Sequence, residues 1–151
     1  MKVTIKVTEL NHANLVDILS TALYGCDWLE ADYDLEFFKN IPDDKKSGHC
    51  WEDHLADVLL NGGTIELTDK EADGCLYKTK GVPCKLKKVA WWESDEPYEV
   101  GVYTLSLKAI LKACSSWPGY KLLTETLSGE GDYFTANNLL QIAMFGEIIY
   151  G

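Results

Sequence analysis

Residues 27–37 read Asp27-Trp28-Leu29-Glu30-Ala31-Asp32-Tyr33-Asp34-Leu35-Glu36-Phe37, and acidic and apolar residues alternate strictly from Leu29 onward. Side chains two apart on a strand share a face, so this alternation predicts a half-buried strand. One face of the strand is expected to pack on the core and consists of Leu29, Ala31, Tyr33, Leu35 and Phe37. The other face is expected to be a row of carboxylates and consists of Glu30, Asp32, Asp34 and Glu36.

The acidity of this stretch extends to the whole chain. The 151 residues include 24 Asp and Glu against 14 lysines and no arginine, for a formal net charge of −10. Arginine supplies the planar fork that binds phosphate and guanine through two parallel hydrogen bonds. Its absence and the negative charge argue against direct binding of nucleic acid. A field of this sign concentrates cations, so the charge favours a basic protein as the partner.

The composition is that of one folded domain spanning residues 1–151, because 46% of the residues are hydrophobic and 11% are aromatic. Five cysteines occur without close pair spacing, and we expect reduced thiols in a cytoplasmic protein. No long apolar run is present, so neither a signal peptide nor a membrane span is expected. The cysteines are Cys26, Cys50, Cys75, Cys84 and Cys114.

Hydrophobic periodicity and turn residues divide the chain into strands and helices. Strands are predicted at 1–8, 29–37, 64–68 and 100–105, with a lysine-rich hairpin whose arms are 75–80 and 84–92. Helices are predicted at 11–24, 51–59 and 107–114, with a short helical turn at 120–127, and a buried helix is predicted from an N-cap at Thr135 to Gly146, before an extended tail. The pattern predicts an α+β domain with a mostly antiparallel sheet of four to six strands and three or four helices packed on one face.

Two parts of the chain resemble a known group of proteins. The segments Thr135-Ala136, Leu140-Gln141, Phe145-Gly146-Glu147 and Tyr150-Gly151 are similar to the closing motif of small acidic proteins encoded in phages, prophages and mobile elements of Gram-positive gut bacteria. Residues 1–8 and Tyr24-Gly25-Cys26-Asp27-Trp28 are similar in kind, whereas 35–99 have no counterpart. The resemblance implies a phage-related setting, in which small acidic proteins include anti-CRISPR and other anti-defence inhibitors.

The acid row has a physical rationale as a decoy for nucleic acid. Carboxylates on every second strand residue repeat at about 6.4–6.8 Å, roughly twice the ~3.4 Å step between phosphates of one DNA strand. We therefore predict a non-enzymatic, anti-CRISPR-like inhibitor that needs no cofactor and binds the basic surface of a host protein, such as a CRISPR effector. The predicted contact residues are Asp27, Glu30, Asp32, Asp34, Glu36, Trp91, Trp92, Glu93, Asp95 and Glu96.

Other interpretations of the same residues remain open at the sequence level. Most such alternations are simply the wet face of an antiparallel strand, and the decoy hypothesis requires that the lysine hairpin of 78–88 does not cover the acids. A second function is a self-associating phage accessory or regulatory module that pairs through Trp91 and Trp92. His49, Cys50 and His54 suggest a zinc site by the i, i+4 spacing of Cys50 and His54, but no paired Cys motif supports it. A Cys-His or carboxylate enzyme lacks any local signature.

Overall fold

The computed structural model describes residues 5–71, 82–89 and 98–150. Each of its regular elements is short, the longest being the 13-residue C-terminal helix. In chain order the elements are α1 His12–Leu23, β1 Leu29–Tyr33, α2 Leu35–Lys39, α3 Trp51–Leu60, β2 Thr64–Asp69, β3 Cys84–Val89, β4 Tyr98–Ser106, α4 Leu107–Cys114, α5 Gly119–Ser128 and α6 Tyr133–Phe145, with a single 3₁₀ turn at Asp43–Lys45.

The four described strands form one antiparallel sheet in the order β1-β2-β4-β3. One face of the sheet packs against the helices, and Ala31, Leu67 and Tyr103 follow one another across three strands on that face. The predicted α+β class with a mostly antiparallel sheet is therefore confirmed. The described residues contain six α-helices where three or four were predicted.

The helices begin and end where their capping residues dictate. Asn11 caps α1 through a reciprocal pair of hydrogen bonds with Asn14, and the Ser106 hydroxyl accepts from the Ala109 N–H at the start of α4. The predicted cap at Thr135 is wrong by one turn. Asp132 caps α6: its carboxylate accepts from the Thr135 N–H, and the Thr135 hydroxyl accepts from the Asp132 N–H. The glycine stop at 146 is confirmed, with a left-handed φ of 82°.

The predicted strand over 29–37 is wrong in its second half. β1 ends at Tyr33, and the Asp34 carboxylate accepts hydrogen bonds from the N–H groups of Glu36 and Phe37, which starts α2. The helical backbone turns the remaining apolar side chains outward: Leu35 is 52% exposed and Phe37 is 36% exposed. The predicted row of four strand carboxylates is therefore reduced to Glu30 and Asp32, followed by two acids on a helical turn.

The chain before α1 is not a strand where the structure describes it. Residues 5–8 have no ladder partner, whereas residues 1–4 lie outside the described part of the chain. The segment is instead held by a side chain, because the Val7 N–H donates to the Ser115 hydroxyl at 2.8 Å. The predicted hairpin is only partly described: β3 pairs with β4, and residues 75–80 lie outside the described ranges.

The cysteines do not all have the predicted oxidation state. Cys26, Cys50 and Cys114 are free thiols, whereas Cys84 is disulfide-bonded. The expectation of five reduced cysteines is therefore wrong at Cys84. Among the described residues, no helix has the length and apolar character to cross a membrane.

Alkaline pH should destabilise the fold through Cys114. This side chain is fully buried on α4, and burial raises the pKa of its thiol from 9.0 to about 12. Between pH 9 and about 12 the unfolded chain loses this proton and the folded chain keeps it. The free energy of unfolding should therefore fall by up to about 1.4 kcal/mol per pH unit from this group alone.

Urea unfolding of the wild type and of Cys114→Ala at pH 8, 9, 10 and 11 measures this contribution. The variant is less stable at pH 8 because it leaves a small cavity, but the difference from the wild type should narrow as the pH rises. A constant difference across the four pH values would contradict the assignment.

Candidate partner-binding surface

Five exposed acids lie on or next to β1, which is at one edge of the sheet that the described strands form, and we call them the acidic edge. Its members are Asp27, Glu30, Asp32, Asp34 and Glu36. Two of them are held in place locally, because the Asp32 carboxylate accepts from the Tyr33 N–H at 2.8 Å and Asp34 caps α2. No ion pair between described residues involves any of the five. The acidic edge is therefore charged and free of described lysine partners, and two of its five carboxylates are held in place by local hydrogen bonds.

The lysine-rich strand lies at the opposite side of the sheet. β3 and β1 are separated by β2 and β4, which corresponds to about 14 Å at the usual strand spacing. Lys85 reaches back across β4 and pairs with Glu66 on β2 at 3.0 Å. Glu66 stands directly opposite Asp32, so this lysine neutralises the acid next to the edge and leaves Glu30 and Asp32 unpaired. Lys78 and Lys80 lie outside the described residues.

The other predicted contact residues cannot be placed on this surface. Residues 90–97 lie outside the described ranges, and these include Trp91, Trp92, Glu93, Asp95 and Glu96. Their roles stay predictions.

A pocket lined by aromatic side chains, which we call the aromatic pocket, lies where the chain enters β1. It has a volume of about 390 Å³. Two ring pairs contribute to it: Trp28 and Tyr150 have centroids 4.5 Å apart, and Tyr133 and Phe134 have centroids 5.2 Å apart. Its lining residues are Trp28, Glu71, Tyr133, Phe134, Asn137, Ile149 and Tyr150. Two of the three segments on which the sequence resemblance rests, 24–28 and 135–151, thus contribute residues to this pocket.

Two buried amides on α6 hold the C-terminal tail that forms one wall of the pocket. The Gln141 side-chain oxygen accepts from the N–H groups of Ile149 and Tyr150 at 2.9 and 2.8 Å, and its nitrogen donates to the Tyr150 carbonyl and to Asn137. The Tyr150 hydroxyl donates to the buried carboxylate of Asp69 at 2.9 Å. These bonds explain why an irregular tail keeps a fixed position.

The floor of the pocket contains a tyrosine that stays neutral. The Tyr133 hydroxyl donates to the Cys26 sulfur at 3.1 Å. Partial burial, reinforced by Cys26 and by the negative charge of Asp27, raises the pKa of Tyr133 from 10.0 to about 12. The thiol here is a hydrogen-bond acceptor for Tyr133 and, more weakly at 3.8 Å, for Asn137. This contact links the pocket directly to the acidic edge.

No protein-family model, curated protein or solved structure matches this chain.

The residues considered for zinc are used in other ways. The backbone of Cys50 begins α3, and its side chain is exposed. The His54 ring stacks on Phe38 at 4.1 Å, and its Nδ1 shares a hydrogen bond with the Tyr33 hydroxyl at 2.8 Å. In the described part of the chain, no group of three or more His, Cys, Asp and Glu residues is placed to hold a metal ion.

A histidine that the sequence did not distinguish lies between two acids. His12 Nε2 is 3.3 Å from Asp53 and 3.6 Å from the buried Asp57, without the geometry of a hydrogen bond. Asp57 accepts from the Ser47 N–H and Asp53 from the Cys50 N–H, so the cluster closes the loop before α3 onto α1. These contacts join α1, α3 and the loop before α3, which is a structural role.

Proposed function

We propose that this protein is a non-enzymatic inhibitor that binds the basic, nucleic-acid-binding surface of another protein through the acidic edge. The observation that carries the proposal is the exposed group of carboxylates on and beside β1, which make no ion pair with a described residue, in a chain with net charge −10. Asp32 and Asp34 are held by local hydrogen bonds, so they lose little conformational entropy when they meet a cationic surface. Their charge also accelerates the encounter with that surface.

The target class follows from the resemblance stated above and from the charge. Cationic side chains that bind a phosphate backbone are complementary in charge to the acidic edge. Guide-loaded CRISPR effectors hold their nucleic acids in positively charged channels lined by such side chains. Because only Glu30 and Asp32 keep the strand spacing, the fit depends on local charge density rather than on a repeat matched to phosphates.

Carboxylates on an edge strand also oppose edge-to-edge pairing between copies. This disfavours self-association through β1 and favours a foreign, basic partner there. The alternative function, self-association through Trp91 and Trp92, concerns residues outside the described ranges. Sedimentation at two salt concentrations tests it, because a stable oligomer insensitive to salt would favour it over the inhibitor.

Reversing two charges of the acidic edge should abolish most of the inhibition. We expect Glu30→Lys/Asp32→Lys to weaken binding to a guide-loaded CRISPR effector by about 10- to 100-fold, and to reduce the salt dependence of the affinity. The measurement is competition with target DNA in a mobility-shift assay at several salt concentrations.

A matched control is Asp17→Lys/Glu130→Lys, which changes the net charge equally at exposed acids of α1 and of the loop before α6. The control should bind within about threefold of the wild type. Equal losses of affinity in the two double variants would show that net charge alone causes the effect. Unchanged affinity in both would rule out the proposed surface.

A further inference from the structure

We infer that the aromatic pocket is a binding site for one organic cation, an alkylammonium or guanidinium group, with Glu71 as its counter-charge. Four of the seven described residues that line it are aromatic, and the faces of such rings attract cations within about 6 Å of their centroids. The volume of about 390 Å³ lies within the range of small-ligand sites and exceeds the volume of one lysine or arginine head group.

The charges that the described residues place around the pocket have one sign. Among the described lining residues, Glu71 is the only one charged at neutral pH, and none is a lysine or a histidine. Asp27 lies close enough for its charge to act on Tyr133. A cation is therefore stabilised in the pocket by rings and carboxylates together, whereas an anion meets only negative potential.

The polar groups of the pocket are already engaged, which restricts the ligand further. The Asn137 amide donates to the Ala22 carbonyl at 3.2 Å and accepts from Gln141 at 2.9 Å. The Tyr133 and Tyr150 hydroxyls donate to Cys26 and Asp69. A sugar or a nucleobase needs several free donors and acceptors, and these are largely used; a cation needs only ring faces and a nearby carboxylate.

The pocket adjoins the acidic edge, since Trp28 lies between Asp27 and the first residue of β1. We assign the cation to a lysine or arginine side chain of the basic partner, which would seat in the pocket while its neighbours meet the carboxylates. This assignment of the source rests on the proposed function, whereas the preference of the pocket for a cation does not.

The experiment is a titration followed by NMR of the tryptophan indole and backbone amide signals. The probes are N-acetylarginine amide, its neutral analogue N-acetylcitrulline amide, and tetramethylammonium chloride. We expect both cations to shift the Trp28, Tyr133 and Tyr150 signals with millimolar Kd values, and the citrulline analogue to bind at least fivefold more weakly.

Two mild variants of the pocket keep the test independent of folding. Phe134 is 58% exposed and Glu71 is exposed, so Phe134→Leu and Glu71→Gln should fold normally and raise the Kd for each cation about two- to fivefold. The matched controls Trp117→Leu and Glu130→Gln, on exposed residues outside the pocket, should leave it unchanged. Absence of binding, equal binding of the citrulline analogue, or equal effects of pocket and control variants would overturn the inference.

The two proposals fail separately. Loss of partner binding in Glu30→Lys/Asp32→Lys without any cation binding in the pocket would remove only the present inference. Cation binding in the pocket with an unaltered charge-reversal variant would remove only the proposed surface. Tetramethylammonium binding without arginine binding would contradict a protein side chain as the source.

Discussion

Replacing Gln141 by leucine is expected to release the C-terminal tail and to lower the free energy of unfolding by about 2–4 kcal/mol. The side chain is 1% exposed and satisfies the N–H groups of Ile149 and Tyr150 and the Tyr150 carbonyl. Leucine has a similar volume but no polar atom, so these backbone groups must either stay unpaired or become exposed to water. Exposure to water would separate the Tyr150 ring from Trp28 and break the hydrogen bond between the Tyr150 hydroxyl and Asp69.

Urea unfolding and amide hydrogen exchange measure the two effects of this variant. The amides of Ile149 and Tyr150 should exchange much faster, and the cation affinity of the aromatic pocket should fall because the tail forms one wall. Thr124→Leu, at an exposed position of α5, is the matched polar-to-leucine control. A Gln141→Leu protein within 0.5 kcal/mol of the wild type, with protected tail amides, would show that the tail is held by its apolar contacts alone.

Adding one methyl group at Gly119 is expected to destabilise the protein by about 3 kcal/mol. A Cβ at this position would overlap the Ala113 carbonyl oxygen and approach the Ser116 hydroxyl. The Ala113 carbonyl accepts hydrogen bonds from the Ser116 N–H and hydroxyl, so it cannot move without opening the turn between α4 and α5. The sequence suggested a helix break at Pro118-Gly119 but not the reason for glycine.

Gly62→Ala is the matched control for this prediction. Gly62 has a φ of 87° with no atom within 4 Å of an added Cβ, so alanine there has only backbone strain to overcome, about 1 kcal/mol. Thermal unfolding should therefore place Gly119→Ala clearly below Gly62→Ala. The reverse order would mean that the turn adapts more easily than its hydrogen bonds suggest.

The sequence predicted the elements whose apolar periodicity and caps agree. α1, β4 and α4 lie close to their expected bounds because Asn11, Ser106 and buried residues such as Ile18 and Ile110 all favour the same structure. α2 was not predicted because it buries none of its residues, so the sequence has no helical hydrophobic periodicity there. Asp34 fits an alternating strand and a helix cap equally well, and its bonds to the next backbone amides decide between them.

The candidate site was predictable only in part. The acids of β1 were identified from alternation, which is a local signal, but the aromatic pocket depends on contacts between residues more than 100 positions apart, such as Cys26 and Tyr133. The one available signal was the spacing of two amides, Asn137 and Gln141, four residues apart on a largely apolar helix. Such a pair shares a helix face and must find polar partners when it is buried, yet the partners cannot be read from the chain.

The separation of charge across the outer face of the sheet has a kinetic consequence. Glu30 and Asp32 occupy one edge strand, while Lys85 and Lys87 occupy the other. The described charges of this face therefore form an electric dipole directed across the strands, in addition to the net charge. A basic surface approaching within a Debye length experiences a torque that turns the acidic side toward it before contact. Added salt should then slow association far more than it speeds dissociation.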